Sequence, residues 1–122
     1  MKKILIVDDQ DTIRKMLRLT LSGRYELFEA ADAMAAWEAI RHNRPDAVIL
    51  DVMMPGEMDG YQLCEKLKTD RELRTTHVVM VTARGQQADY QKGMATGADA
   101  YFVKPFSPLA LTRHLDETLQ GN

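Results

Sequence analysis

The 122-residue chain carries 16 Lys plus Arg against 18 Asp plus Glu, a net charge of -2, and is 45% hydrophobic. Area scaling at this size gives about 6,700 Å² folded against about 20,200 Å² extended, so roughly two-thirds of the surface can be buried around one core without staples. Residues 1–61 hold 8 basic and 11 acidic groups and residues 62–122 hold 8 and 7, which excludes the basic footprint of a protein that grips nucleic acid by its phosphates. Cys64 has no partner for an intramolecular disulfide, and the apolar run behind Met1-Lys2-Lys3 is too short for a signal or membrane segment. A cytoplasmic location without membrane contact is expected.

In chain order, Ile4–Val7 is a continuous apolar run, too short for a buried helix and too unbroken for a half-exposed strand. Ile13, Met16, Leu17 and Leu21 follow at helical spacing, with Asp11 as expected N-cap and Gly23 as stop. Tyr25–Glu29 is a more polar strand, as suits a sheet edge. A second helix runs behind Asp32 through Ala33, Ala36, Trp37 and Ile40, ending before Pro45. Ala47–Leu50 is a third strand, and Gly60, Leu63, Cys64 and Leu67 form a helix behind Asp59. Val78–Val81 is the fourth strand, the span from about Gln86 to Thr96 the fourth helix, closing at Gly97, and Ala100–Val103 the fifth strand. Ser107-Pro108 starts the last helix, which carries Leu111, Leu115 and Leu119 towards Gly121. Apart from the polar second strand, the strands are expected to be covered on both faces. No repeat or Pro/Gly/Ser-rich linker divides the chain, so a single unit over residues 1–122 is expected.

Five strands alternating with five helices imply parallel strands joined by right-handed crossovers, an α/β doubly wound (βα)5 three-layer fold. Ligands of such sheets bind at the carboxyl ends of the strands. Those positions hold Asp8 and Asp9 after the first strand, Asp51 after the third, Thr82 at the end of the fourth and Lys104 after the fifth. Taken singly, an aspartate after a strand is usually a turn residue or helix cap, and that reading is kept for Asp11, Asp32 and Asp59. Three acids, a hydroxyl and an amine on one rim are a different matter. Crowded carboxylates repel, so either a divalent cation lies among them or one takes up a proton. Oxygen-only ligands suit Mg²⁺, which shares its remaining positions with water and phosphoryl oxygens. Lys104 supplies a point charge for those oxygens, Thr82 a hydroxyl donor, and Asp51 a carboxylate placed to act as nucleophile.

With these residues in view, the sequence resembles the receiver domains of two-component response regulators, the CheY-like family. The matching stretches are Ile4-Leu5-Ile6-Val7-Asp8-Asp9, Val48-Ile49-Leu50-Asp51-Val52-Met53-Met54-Pro55, Asp59-Gly60, Val79-Met80-Val81-Thr82-Ala83 and Gly97 to Phe106, in the family's order and near its spacing. The resemblance implies a flavodoxin/CheY-like sheet of order 2-1-3-4-5. It implies that Asp51 accepts phosphoryl from a phosphohistidine on a sensor histidine kinase or phosphotransfer protein. Asp9, Asp51 and the backbone carbonyl of Met53 would bind Mg²⁺ or Mn²⁺, with Asp8 acting directly or through water. Lys104 would contact the phosphoryl group, Thr82 would swing towards it, and Tyr101 would turn inward as the switch aromatic. A cis Lys104-Pro105 peptide is also implied. The fourth helix, fifth strand and fifth helix would signal to a downstream effector, the chain being a monomer or a phosphorylation-dependent dimer. Any effector domain would then be another polypeptide or lie outside this sequence.

Two stretches depart from the commoner family pattern. The loop Met54–Gly60 is one residue longer, Glu57 being the extra one, and Thr69–Thr76 is long and charged. Met53 and Arg84 occupy positions that in the family tune acyl-phosphate hydrolysis. His42, His77 and His114 stand on different elements without metal-ligand spacing, and the methionines are scattered as gap fillers. Two other chemistries fit less well. A phosphohydrolase of the haloacid-dehalogenase type needs a second Asp where Met53 stands, and a flavodoxin-like FMN carrier needs a Ser/Thr/Gly phosphate loop where Asp8-Asp9 would repel the phosphate. A degenerate receiver is disfavoured because all five site positions are filled.

Overall fold

The computed structural model describes residues 1–120. Its elements are β1 (Lys3–Val7), α1 (Asp11–Leu21), β2 (Glu26–Ala30), α2 (Ala33–Asn43), β3 (Ala47–Leu50), α3 (Gly60–Lys68), β4 (His77–Thr82), α4 (Gln87–Ala95), β5 (Ala100–Val103) and α5 (Pro108–Leu119). The strands form one parallel sheet of order β2-β1-β3-β4-β5, as the resemblance implied. Side chains alternate across it. Leu5, Val7, Val48, Leu50, Val78 and Met80 face a core closed by α2 and α3, with Met94 of α4 against it. Ile4, Ile6, Ile49, Val79 and Val81 face a second core closed by Leu17 and Leu21 of α1 and Leu111 and Leu115 of α5. Among the described residues no helix is long and apolar enough to cross a membrane.

Several local signals act as the sequence suggests. The Asp32 and Asp59 side chains accept from the Ala35 and Gln62 amides, and the Gln62 side-chain oxygen accepts in turn from the Asp59 amide. Ser107 accepts from Ala110, and Pro108 opens α5. Gly97 takes a positive φ of 101° after α4. The expected stop at Gly121 lies outside the described residues.

Two expectations are corrected. Asp11 is not an N-cap: Gln10 holds that position without a side-chain cap bond, and Asp11, the first helical residue, pairs with Arg14 at 2.9 Å. The reason lies one turn back, where Asp8 Oδ1 accepts from the Gln10 amide and bends the chain into the helix. β5 is not covered on both faces; it is the second edge of the sheet, partly exposed throughout, with Val103 42% accessible. The charged segment 69–76 is held down by buried Leu73 and Thr76, whose hydroxyl donates to the Pro45 carbonyl at 3.4 Å.

Gly60 controls the approach of α3 to the end of β3. Its amide donates to Val52 O at 3.0 Å, and a Cβ there would lie 2.3 Å from Asp51 O and 2.7 Å from Val52 Cα. Both are backbone atoms, so a methyl group displaces the segment that carries Asp51. Gly60→Ala should therefore lower unfolding stability by about 1–3 kcal/mol, the usual cost of overpacking. A guanidinium titration checks this, and an unchanged midpoint would show that the approach is looser than described.

Candidate functional site

Parallel strands deliver their carboxyl ends to one rim, and backbone bonds fix the exits. The amides of Asp8, Asp51 and Lys104 donate to Ala30 O, Val7 O and Thr82 O at 3.2, 2.9 and 2.8 Å. Each loop thus leaves its strand in register with a neighbour. Asp8, Asp9 and Asp51 each offer an oxygen, all within 4.8 Å of one another. Asp8 and Asp51 are buried and Asp9 is exposed, so the cluster opens on one side. Lys104 Nζ reaches in from β5, 2.9 Å from Asp8 Oδ2 and 3.4 Å from Asp51 Oδ2. The peptide between Lys104 and Pro105 is cis.

One ammonium among three carboxylates leaves negative charge in excess. Burial, followed by the nearby Asp8 charge, pushes the Asp51 carboxyl above its ordinary value; Lys104 and the Met53 amide, donating to Asp51 Oδ1 at 3.2 Å, oppose this. Burial by itself would depress the Lys104 ammonium, but its bond to Asp8 and the charges of Asp51 and Asp8 raise it instead. A compact set of oxygen donors with unbalanced charge suits a hard divalent cation such as Mg²⁺, which tolerates one open, hydrated side. On that side lies an open cleft of about 410 Å³ lined by Asp9, Met53, Pro55, Asp59, Arg84 and Lys92. A depression of about 570 Å³ lies at the opposite end of the strands, where Arg41, Arg44 and Arg71 are balanced by Glu38, Asp70 and Glu72.

Of the residues expected at the site, Asp8, Asp9, Asp51 and Lys104 are brought together. Thr82 is fully buried at the end of β4, where its hydroxyl accepts from the Arg84 amide at 3.3 Å. Tyr101 lies apart from the acids, and its phenol donates to the Arg84 carbonyl at 2.7 Å. The main chain of Arg84 therefore joins Thr82 to Tyr101. The ring of Tyr101 meets Tyr90 edge-on, centroids 5.6 Å apart, and rests against Gly93, where a Cβ would come within 2.9 Å of it.

The roles of three supporting residues were missed by sequence reasoning. Arg14 donates to the Asp8 carbonyl at 2.7 Å while pairing with Asp11 and Glu29, holding the loop that presents Asp8. Only its spacing three residues after Asp11 hinted at this. Gly60 stood in the Asp59-Gly60 stretch that carries the resemblance, without a reason for the glycine, and Gly93 gave no signal beyond being a glycine inside a helical stretch. His77 and His114, unrelated by spacing, are neighbours in space.

The Asp51 charge has a consequence for stability. A carboxyl whose folded value is raised binds its proton more tightly folded than unfolded, so stability is lost as pH rises from its unfolded value, 3.8, through the raised folded one. Above that window the penalty is constant. In chelator, Asp51→Asn should melt higher than the parent at neutral pH, with the difference fading as pH falls below the ordinary carboxylate range. A gain that persists at low pH would assign it to something other than charge.

Comparison with known proteins gives the arrangement a context. The family model for the response regulator receiver domain matches residues 4–116. The transcriptional regulatory protein SrrA of Staphylococcus aureus is 43% identical over 107 residues, covering 87% of this chain and 43% of that protein, so the chain spans less than half of its curated relative. A putative response regulator from Chloroflexus aurantiacus superposes with a TM-score of 0.90 at 39% identity, over 98% of each chain. The chemotaxis protein CheY4 of Vibrio cholerae gives 0.89 at 35%, over 98% of this chain and 99% of its own. With the sheet order, the acidic rim and the family match in agreement, the chain belongs to the response regulator receiver domains, the CheY-like signalling modules of two-component systems.

Proposed function

We propose that Asp51 is the phosphoacceptor of this receiver and takes phosphoryl from a phosphohistidine on a sensor kinase or phosphotransfer protein in the cytoplasm. The observation that carries the reading is the position of Lys104 Nζ, 2.9 and 3.4 Å from the buried Asp8 and Asp51 carboxylates beside the three-acid cluster. Asp51 Oδ attacks phosphorus as the phosphorus–nitrogen bond breaks, giving an acyl phosphate on Asp51; the donor ring, protonated on its other nitrogen by solvent, keeps the electron pair and leaves as a neutral imidazole. Asp8, Asp9 and Asp51, with the Met53 carbonyl, would hold Mg²⁺ or Mn²⁺. A cation there supplies electrostatic stabilisation of the charge developing on the transferred group. Lys104 turns from Asp8 towards the new oxygens.

The new group brings roughly one and a half to two negative charges. Thr82, adjacent to Lys104 on the sheet rim, gives up the Arg84 amide and donates its hydroxyl to a phosphoryl oxygen. Because Tyr101 is bonded to the other end of that residue, the movement reaches α4 and β5. Exposed Tyr90, Val103 and Leu109 lie on the α4–β5–α5 face, where a downstream effector or a second activated copy would dock. The module acts on itself, forming and losing its own acyl phosphate. Met53, where a phosphohydrolase would carry its second acid, argues against turnover of external esters.

Acetyl phosphate with Mg²⁺ should add one phosphoryl group, visible by intact mass, and Asp51→Ala should abolish it. Modification that persists in that variant overturns the assignment. Asp9→Ala should remove the Mg²⁺-dependent labelling; equal labelling of variant and parent would mean that the cation is held elsewhere.

A further inference from the structure

Away from the acidic rim, two histidines from different elements meet near the start of β4. Nε2 of His77 lies 2.8 Å from Nε2 of His114 on α5, with ring centroids 5.0 Å apart and planes inclined by 32°. The other nitrogen of His77, Nδ1, lies 3.7 Å from Asp99 Oδ2. That oxygen is fixed: it accepts from Lys68 Nζ and from the Val78 amide, both at 2.8 Å. Phe102 meets the His114 ring edge-on at 5.9 Å.

These contacts orient His77. Asp99 Oδ2 lies beyond hydrogen-bond reach of Nδ1, but its charge favours the tautomer with a proton there, which directs the Nε2 lone pair at His114. Burial, outweighing the pull of Asp99, lowers His77 from its ordinary value and so favours the neutral ring. A neutral imidazole with a carboxylate behind it and its free nitrogen aimed at a second imidazole has the arrangement of a metal-bound histidine. With bonds of about 2.0–2.1 Å, two nitrogens on one ion stand about 2.9 Å apart at a right angle and about 3.3 Å apart at a tetrahedral one. At 2.8 Å the pair matches the first, and the rings must part by about half an ångström to reach the second.

We propose that His77 and His114 form a two-imidazole clamp for a borderline divalent transition ion such as Zn²⁺, which ties α5 to the start of β4. Water completes the coordination. In the neutral form of the pair, the proton on Nε2 of His114 moves to its Nδ1 as the ion takes its place between the rings, and none is released. Imidazole nitrogen selects Zn²⁺, Ni²⁺ or Cu²⁺ over Mg²⁺, whereas the acidic rim offers only oxygen. The two sites therefore sort ions by ligand type. The clamp does not depend on the proposed phosphoryl chemistry, and α5, the element it holds, forms part of the proposed output face.

The test is Zn²⁺ titration of the full chain in excess Mg²⁺, followed on the ring nitrogens of all three histidines by long-range ¹H–¹⁵N NMR. His77 and His114 should shift together and saturate at one equivalent, while exposed His42 stays in place. His114→Gln should remove the response of His77, and His77→Gln that of His114, with the amide spectrum reporting that each variant is folded; either one suffices. Absence of a shift in the two rings overturns the clamp, as does a response shared equally with His42 or a saturable response that survives in a glutamine variant. In those cases the contact is an imidazole–imidazole hydrogen bond alone.

Discussion

Three carboxylates and one ammonium at the carboxyl edge of a parallel sheet form the interaction on which the molecule turns. Desolvating Asp8 and Asp51 raises the free energy of their charged forms, and Lys104 offsets only part of it because it is shared between them. The remaining charge is a standing demand for a cation. The rest of the fold keeps the groups close despite their repulsion: backbone bonds pin each strand exit, Arg14 braces the carbonyl of Asp8, and Gly60 lets α3 press against the backbone of Asp51. Stability given up at this rim is supplied by the two apolar layers beneath it.

The same economy links the rim to a surface. Thr82 and Tyr101 are each bonded to the main chain of Arg84, one to its amide and one to its carbonyl. A movement of Thr82 therefore alters the peptide that anchors the Tyr101 phenol. Gly93 leaves room for that ring between α4 and β5, and Tyr90 limits its swing. Coupling over this distance needs only a short chain of contacts with two arrangements, without a broad rearrangement of the core.

Much of this was legible in the sequence because parallel sheets convert sequence position into spatial position. A residue that follows an apolar run must emerge at the rim, so Asp8, Asp9, Asp51 and Lys104 could be gathered without coordinates. Caps with a strong local preference, Asp32, Asp59 and Ser107, were equally readable. Asp11 was not, because Asp8 had already turned the chain and left the cap position to Gln10. The apolar run Ala100–Val103 read as a covered strand, since composition reports how apolar a strand is and not whether it has a neighbour on its far side. His77 with His114, and Gly93 with Tyr101, depend on how helices lie across the sheet, which no local pattern encodes.

The central claim is that Lys104 and a divalent cation answer the same excess of charge. Their contributions are then antagonistic, and removing the ammonium should make the carboxylates hungrier for the ion. Isothermal titration of Mg²⁺ into the parent and into Lys104→Met measures this directly. The account predicts tighter Mg²⁺ binding by the variant, with the difference shrinking as salt is added. Equal or weaker binding by a folded Lys104→Met would contradict it, showing that Lys104 organises the acids for the cation instead of competing with it.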